Sequence, residues 1–289
     1  MTQERDDMPK WPEKAYKNYA WLNSPDARMV RILSEFLEPQ SRFRRLGVRD
    51  TVVFFGSARI LSPAEATARL ETIERSQAEY PEESAALKSA LAHARHSVAL
   101  SRYYSDAAAL AEKLTRWSLS LPGNGRHFLV CSGGGPGIME AANLGASLGG
   151  GMSVSLNISL PMEQNPNAFQ TPELAFEFHY FFMRKFWFVY LAKALVAFPG
   201  GFGTLDEVFE TLTLLQTAKT RKSMPVILYG SEYWKEIVHF DALVKHGMID
   251  KDDLNLFHFC DTVDDAFDCL KDVLSRLSPP SPKNSSPRA

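Results

Sequence analysis

The sequence predicts an α/β fold, with a mainly parallel sheet and helices on both faces. Short apolar runs alternate with helix-like segments through the second half of the 289-residue chain. The runs are continuously apolar, as in strands buried on both faces of a parallel sheet. Most of the 17 glycines fall within 133–151 and 200–203, each stretch beginning directly after an apolar run. Because such sheets bind ligands at the carboxyl ends of strands where strand order reverses, we expect a site at these turns.

The individual elements follow from the apolar runs and the segments between them. The first strand is predicted at Thr51–Phe55 and ends in a turn at 56–58. Further strands are predicted at 127–131, 152–158, 174–178, 194–198, 225–229 and 255–260. Helices are predicted at 137–148, 180–193, 204–218, 232–246 and 263–276. A helical region is also expected from Tyr16 to Leu46.

We predict three parts: a tail and helical extension at 1–46, a catalytic domain at 47–277, and a disordered tail at 278–289. The ends, 1–11 and 278–289, hold too little apolar surface to offset the entropy of ordering. A helical insertion is predicted at about 59–118, with helices at 63–79 and 82–117 separated by Pro81. Its charged, alanine-rich composition is typical of a solvated helical face or an oligomer contact.

Composition excludes several classes of function. The net charge of −2 gives no basic excess for nucleic acid. The aromatic stretch 176–198 carries too many charges to span a bilayer, and the first residues lack the apolar core of a secretory signal. Cys131, Cys260 and Cys269 have no metal-site or disulfide spacing, which favours free thiols in a reducing cytoplasm. We expect no metal and no cofactor.

The first glycine-rich turn reads SGGGPGIME at 132–140, and a shorter one, Gly56-Ser57, follows the first strand. The turn at 132–140 lacks the spacing of a P-loop and of the G-x-G-x-x-G dinucleotide motif, and so does the second glycine-rich turn at 199–207. A turn that opens a helix nevertheless offers unpaired N–H groups and the positive end of the helix dipole. The turns therefore predict a nucleotide or phosphosugar ligand.

The second turn, PGGFGTLDE at 199–207, is more specific. Gly200, Gly201 and Gly203 are able to present consecutive N–H groups, and the Thr204 hydroxyl is either a helix N-cap or a phosphate donor. Glu207 stands three residues later, which is the spacing of a capping box. The alternative is a catalytic carboxylate in the first helical turn, beside the phosphate. The spacing alone leaves both interpretations open.

Arg184 and Lys185 interrupt the aromatic segment 181–188. A basic pair in such a segment is costly to bury unless it meets an anion, although one of the two is able to reach solvent with its charged end. Because this segment leads into the strand before the second turn, at least one of the two is expected at the cleft.

These motifs together resemble the LOG (Lonely guy) family. The family's M-x-x-R-K element corresponds to 180–185, with the methionine displaced to Met183, and its P-G-G-x-G-T-x-x-E motif corresponds to 199–207. The resemblance covers about 51–58 and 127–276. It implies a Rossmann-like fold and a homodimer or larger homo-oligomer.

The resemblance also implies an activity. Family members hydrolyse the N-glycosidic bond of nucleoside 5′-monophosphates to the free base and ribose 5-phosphate, and several release cytokinins. For this chain we expect the same reaction, with AMP or N6-modified AMP as the substrate. The implied catalytic residues are Glu207 and Arg184. The implied phosphate- and substrate-binding residues are Gly200, Gly201, Gly203, Thr204, Lys185, Gly134, Gly135, Gly137, Met139, Gly56 and Ser57.

The sequence bears on two other functions. Similar sequences are often labelled lysine decarboxylases, but no pyridoxal-phosphate lysine context is recognisable here. The glycine turns would serve equally well in a non-catalytic carrier of a nucleotide or of the molybdenum cofactor. A carrier has no need of the Arg184–Glu207 pair, so the pair favours the hydrolase.

Overall fold

The computed structural model describes residues 11–79, 85–122, 126–160, 165–219 and 224–277. Residues 1–10, the tail at 278–289 and the predicted helix break at Pro81 lie outside these ranges. Contacts within the chain divide it into two units, Met1–Ser41 and Arg42–Ala289. The second unit holds the sheet and the predicted site.

Seven parallel strands form a single sheet in the second unit. They are β1 (Thr51–Phe55), β2 (Leu129–Ser132), β3 (Ser153–Ile158), β4 (Ala175–Phe178), β5 (Ala192–Ala197), β6 (Val226–Tyr229) and β7 (Phe257–Cys260). Their order across the sheet is β4-β3-β2-β1-β5-β6-β7, and every neighbouring pair is parallel. The prediction of an α/β, Rossmann-like parallel sheet is confirmed.

Strand order reverses between β1 and β5. From β1 the chain builds outward through β2, β3 and β4, and it then returns to place β5 on the other side of β1. Loops on the two sides of such a reversal lead away from each other, which leaves a crevice beyond the carboxyl ends of the strands. The turns that follow β1, β2 and β5 are those singled out from the sequence.

Both faces of the sheet are covered by helices. Val52 and Phe54 of β1 belong to a core shared with helices on one face, whereas Phe55 packs on the other side against Phe188, with ring centroids 4.8 Å apart. The helices of the second unit are α3 (Pro63–Glu79), α4 (Ala85–Leu100), α5 (Arg102–Ser120), α6 (Ile138–Leu148), α7 (Phe181–Leu191), α8 (Phe202–Gln216), α9 (Ser231–Ile237), α10 (Phe240–Lys245) and α11 (Val263–Leu277). Two short 3-10 helices lie at Pro172–Leu174 and Lys251–Leu256.

The N-terminal region is more broken than predicted. Short 3-10 helices at Ala15–Lys17 and Pro25–Ala27 flank α1 (Tyr19–Leu22), and α2 (Arg28–Leu46) follows. Proline at the start of the second 3-10 helix cannot continue an α-helix from the preceding turn. The Arg31 guanidinium holds the bend by donating to the carbonyls of Leu22 and Ser24, each at 2.6 Å.

The predicted helix at 82–117 is wrong in two respects. It is divided at Ser101, whose hydroxyl donates to the carbonyl of Val98 at 2.7 Å. A side chain that bonds its own preceding turn in this way competes with helical continuation. The second part, α5, is also not a solvated face, because it buries an apolar stripe that includes Ala107, Leu110 and Leu114. It is a core helix of the connection from β1 to β2.

The predicted helix at 232–246 is likewise two helices, α9 and α10. Val238 between them is extended, with φ −129° and ψ 113°. No glycine or proline marks this break, and the Trp234 indole, fully buried, donates from Nε1 to the carbonyls of Ala197 and Tyr229. Helix α9 therefore ends one turn after a tryptophan whose side chain is buried and hydrogen-bonded to the sheet.

A buried carboxylate sets the start of β2. The Asp50 side chain accepts from the Phe128 N–H at 2.7 Å and contacts His127 Nδ1 at 3.1 Å. Phe128 has a positive φ of 55°, which a bulky residue rarely adopts. These bonds explain why the strand begins at Leu129 and not at His127 as predicted.

We predict that Asp50→Ala lowers the free energy of unfolding by about 2 to 4 kcal/mol, because a buried N–H and a buried histidine both lose their partner. Urea denaturation provides the measurement. The control is Asp272→Ala, which removes only an exposed pair with Arg276 and is expected to change stability by less than about 0.5 kcal/mol. Equal effects of the two substitutions would contradict the role of Asp50.

Candidate active site

A cleft of about 1340 Å³ lies at the carboxyl ends of the central strands. Its walls come from the turns after β1, β2 and β5, from the first turns of α8, and from the ends of β3 and β4. Of the residues predicted for the site, these line it: Gly56, Ser57, Gly135, Met139, Arg184, Gly200, Gly201, Gly203, Thr204 and Glu207. Lys185, Gly134 and Gly137 are not among the lining residues, and the binding roles of all these residues stay predictions.

The 199–207 turn differs from its prediction in one respect. Helix α8 begins at Phe202, with Gly201 as its N-cap, instead of at 204. Thr204 is therefore the third residue of the helix and not its cap. Glu207 lies in the second helical turn, too far along the helix for a capping box, so the capping interpretation is wrong.

The N-terminus of α8 presents free donors to the cleft. No side chain caps it, and no hydrogen bond within the described chain takes up the backbone N–H groups of Phe202, Gly203 and Thr204. The first N–H groups of a helix lack intrahelical partners, and the dipole adds positive potential there. The geometry is that of an anion-binding site.

Close packing fixes the shape of this turn. A Cβ at Gly200 would collide with the Thr204 side chain, so the turn requires a residue without one at that position. The Tyr233 hydroxyl, from α9, donates to the Gly200 carbonyl at 2.6 Å. Tyr233 also lines the cleft, and sequence reasoning did not find it, because the bond depends on α9 lying beside the turn.

Glu207 is a buried carboxylic acid facing the cleft, with only 7% of its surface exposed. Burial raises the pKa of its carboxyl to about 7, against the opposing effect of the positive charges on Arg184 and Lys185. The negative charges of Glu210 and Asp206 act in the same direction as burial. Glu207 is thus poised to exchange a proton near neutral pH.

Arg184 projects into the same cleft from α7. Its Nε donates to the Leu156 carbonyl at 2.8 Å, and its guanidinium carbon lies 5.1 Å from the centroid of the Phe188 ring. Burial lowers the pKa of Arg184, and the charge of Glu207 opposes that effect. Within the described residues, no ion pair of 4.0 Å or less joins Arg184 to Glu207. The two charges therefore face the cleft without contacting each other.

Lys185 does not line the cleft, and its ammonium pairs with carboxylates of α8. Its ammonium lies 2.7 Å from an Asp206 carboxylate oxygen and 3.1 Å from one of Glu210. Burial alone would lower the pKa of Lys185, but the hydrogen bonds to these two carboxylates outweigh it and raise the pKa. Lys185 therefore ties α7 to α8 beside Glu207.

A buried polar network holds the 133–137 turn, and sequence reasoning missed it. The Asn143 side chain accepts from the Ser132 hydroxyl at 2.8 Å and donates to Ser153 and Ser155. The Asn167 side-chain amide donates to Asn143 and to the carbonyls of Gly134 and Gly135, each at 3.0 Å. The only sequence signal was polar residues inside apolar runs.

The turn after β1 joins the other two. The Ser57 N–H donates to the Pro199 carbonyl at 2.9 Å, and the Ser57 carbonyl accepts from the Ile138 N–H at 3.2 Å. Gly137 packs against the same carbonyl, which explains why it is covered rather than facing the cleft. Backbone bonds thus connect all three glycine turns at the point of strand reversal.

The described residues of the helices α3 and α4 contribute nothing to the cleft wall. None of its lining residues comes from α3 or α4, whereas Arg59, just before α3, does line it. The described residues of these two helices therefore do not cover the cleft.

A family model described as "Possible lysine decarboxylase" matches residues 139–270. That segment contains Met139, Arg184 and the whole 199–207 turn, the residues on which the resemblance to the LOG family rests. The resemblance to the LOG family is confirmed. The LOG-type segment also covers five of the seven strands, β3 to β7.

Three solved structures are similar to this chain. The Moco carrier protein from Chlamydomonas reinhardtii is 19% identical, with a TM-score of 0.42, over 61% of this chain and 89% of its own. The molybdenum cofactor binding protein from Rippkaea orientalis is 17% identical, with a TM-score of 0.41, over 60% and 88%. The structural-genomics protein TM1055 is 20% identical, with a TM-score of 0.45, over 78% and 99%. No curated protein matches the sequence significantly.

No helix in the described ranges is both long and apolar enough to cross a membrane.

We predict that Gly200→Ala destabilises the protein by about 1 to 3 kcal/mol, because the added methyl group collides with Thr204. Gly203→Ala is the matched control. A Cβ at Gly203 meets nothing within 4 Å, and alanine is the better helix former, so this variant is expected to be neutral or stabilised by up to about 1 kcal/mol. Thermal and urea denaturation of both variants would reveal a reversed order if the packing were otherwise.

We predict that Glu207→Gln raises the free energy of unfolding relative to the wild-type protein, and that the increase is larger at pH 8 than at pH 4. The folded-state pKa is raised, from 4.5 to about 7, so the wild-type protein loses stability as pH rises through this interval. Glutamine cannot ionise and avoids that loss, which amounts to about 3 kcal/mol at most. Urea denaturation at both pH values measures it, and a pH-independent difference between the two proteins would contradict the raised pKa.

Proposed function

We propose that this protein hydrolyses the N-glycosidic bond of nucleoside 5′-monophosphates, releasing the free base and ribose 5-phosphate. AMP and N6-modified AMP are the favoured substrates. The observation that carries the proposal is Glu207, a buried carboxyl with a pKa of about 7 beside an uncapped helix N-terminus. The LOG-type segment supports the same reaction.

The helix N-terminus would hold the 5′-phosphate. The free N–H groups of 202–204 and the Thr204 hydroxyl offer donors to the phosphate oxygens. Binding energy from this remote group positions the ribose for reaction. The sugar then lies over the second turn of α8, where Glu207 faces the cleft.

Glu207 and Arg184 would divide the chemistry between them. As the bond between C1′ and the base nitrogen breaks, its electron pair leaves with the base and positive charge develops on C1′ and the ring oxygen. Ionised Glu207 stabilises that charge and takes a proton from the water whose oxygen bonds to C1′. Arg184, partly buried and without an ion-pair partner within 4.0 Å in the described residues, offsets negative charge on the departing base.

We predict that Glu207→Gln lowers kcat by about 10²-fold or more, because the general base is lost while the phosphate site remains. The assay incubates the protein with AMP, GMP, CMP, UMP and prenylated AMP and follows the free base by chromatography. The matched control is Glu232→Gln, an exposed position on α9. Since Glu207 must be ionised to act as the general base, wild-type kcat is expected to rise with pH through about 7.

Near-normal turnover in Glu207→Gln would remove Glu207 from the mechanism. Nucleotide binding without base release from any substrate would favour the alternative, a non-catalytic carrier of a nucleotide or of the molybdenum cofactor. The glycine turns suit a carrier as well as an enzyme, but a carrier has no use for a buried carboxyl that titrates near neutral pH.

The proposal extends to assembly and location. The LOG-type segment favours a homodimer or larger homo-oligomer, which sedimentation of the purified protein tests. Free thiols at Cys131, Cys260 and Cys269 favour a reducing, cytoplasmic location.

A further inference from the structure

Two side-chain amides, Asn157 and Gln170, form a reciprocal pair in the cleft wall. Asn157 Nδ2 donates to Gln170 Oε1 at 3.1 Å, and Gln170 Nε2 donates to Asn157 Oδ1 at 3.1 Å. Both residues line the cleft and are partly exposed to it. Neither is used by the mechanism above.

Backbone carbonyls fix which way each amide points. Asn157 Nδ2 also donates to the Phe176 carbonyl at 2.9 Å, and Gln170 Nε2 also donates to the Gly134 carbonyl at 2.6 Å. Turning either amide over would bring its oxygen against one of these carbonyl oxygens. The assignment of nitrogen and oxygen is therefore determined by the surrounding chain.

The consequence is an amide pair with no donor left to offer. Each NH2 group has two hydrogens, and both are used within the protein. Each amide oxygen has two acceptor positions, and within the described residues only one of them is occupied, by the bond from the other amide. The remaining hydrogen-bonding capacity of Asn157 and Gln170 is therefore acceptor only.

Arg184 and Asn157 approach consecutive residues of the 133–137 turn. A Cβ at Gly133 would lie 2.5 Å from Arg184 Nη2, and a Cβ at the next residue, Gly134, would collide with Asn157 Oδ1. Arg184 and Asn157 therefore flank two consecutive glycines. The cleft wall therefore carries a cationic donor as well as the pair of neutral acceptors.

The amide pair lies at a distance from the N-terminus of α8, the proposed phosphate-binding site. Asn157 is in β3 and the phosphate turn follows β5, with β2 and β1 between them. Three strand spacings correspond to about 14 Å, so a ligand whose phosphate sits at α8 reaches the amides only with the groups beyond its phosphate.

We infer that the Asn157–Gln170 pair is a specificity element that accepts a hydrogen bond from an N–H or O–H donor on the part of the substrate remote from its phosphate. The inference rests on the proposed function. A donor group of the ligand at this position bonds to an amide oxygen of the pair. An acceptor group of the ligand faces the same oxygens and receives no hydrogen bond from the pair, because both NH2 groups are already used. Two groups of a nucleotide have the required chemistry, the exocyclic amino group of the base and the ribose hydroxyls.

The test measures dissociation constants by calorimetry for AMP and three analogues that each lack one donor. Purine riboside 5′-monophosphate lacks the amino group, and 2′-deoxy-AMP and 3′-deoxy-AMP each lack a hydroxyl. Glu207→Gln protein is used so that the ligands stay intact. Loss of the donor that meets the pair is expected to weaken binding roughly five- to tenfold.

The variant Gln170→Met, made in the Glu207→Gln protein, removes one amide of the pair and replaces it with a side chain of similar length. It is expected to bring the ratio between AMP and the discriminated analogue close to one. Asn157→Leu serves as the second variant. Gln216→Met is the matched control, because Gln216 bonds Asp253 at an exposed position outside the cleft, and it is expected to leave the ratio unchanged.

A weaker purine riboside complex assigns the amino group, and a weaker deoxy complex assigns a hydroxyl. Equal binding of all four nucleotides overturns the inference while leaving the proposed function intact. Binding of none overturns both. If the amide variants fail to fold in thermal melting, the analogue series in the parent protein decides the matter, because it requires no change at the pair.

Discussion

The cleft depends on β1 and β5 lying side by side although the chain between them builds the other half of the sheet. Parallel strands at a reversal send their following loops in opposite directions, and the gap between those loops is the ligand space. Here the gap is bounded by three glycine turns. Backbone bonds from Ser57 to Pro199 and to Ile138 hold those turns together. The sheet thus fixes the position of the site before any side chain contributes to its chemistry.

Desolvation sets the chemistry of that site. Glu207 is withdrawn from water by burial, which raises the pKa of its carboxyl. Arg184 and Lys185 oppose the rise, and Lys185 is itself engaged by Asp206 and Glu210. The carboxyl therefore titrates near neutral pH because burial and local charge oppose each other. A solvated carboxylate at the same place would remain ionised throughout the physiological range.

Polar side chains hold the 133–137 turn in place by hydrogen bonds. Asn143, Asn167 and Gln170 saturate its carbonyls and the hydroxyls of the adjacent strands. Buried polar groups of this kind specify a single arrangement only when each is satisfied, as these hydrogen bonds largely achieve. The same saturation leaves Asn157 and Gln170 with acceptors alone. Support of the turn and selection of the ligand are thus properties of the same amides.

Much of the fold and the centre of the site could be predicted from the sequence. Continuous apolar runs gave the seven strands within a few residues, because burial on both faces of a parallel sheet requires them. The 199–207 motif placed Gly200, Thr204 and Glu207 in one turn, since residues this close in sequence stay together in any fold. The breaks at Ser101 and Val238 carried no glycine or proline, and no sequence pattern could have located them.

The sequence by itself therefore determined the class of fold, the glycine turns and the charged residues near them, because local composition and spacing govern those features. Tertiary structure alone decided that Glu207 is a buried acid and not a cap, since that required the start of α8 at Phe202 and the burial of the Glu207 side chain. It also decided that Lys185 serves Asp206 and Glu210, and that Asn157 meets Gln170. Such pairings join distant parts of the chain, and only the packed sheet brings them within hydrogen-bonding distance.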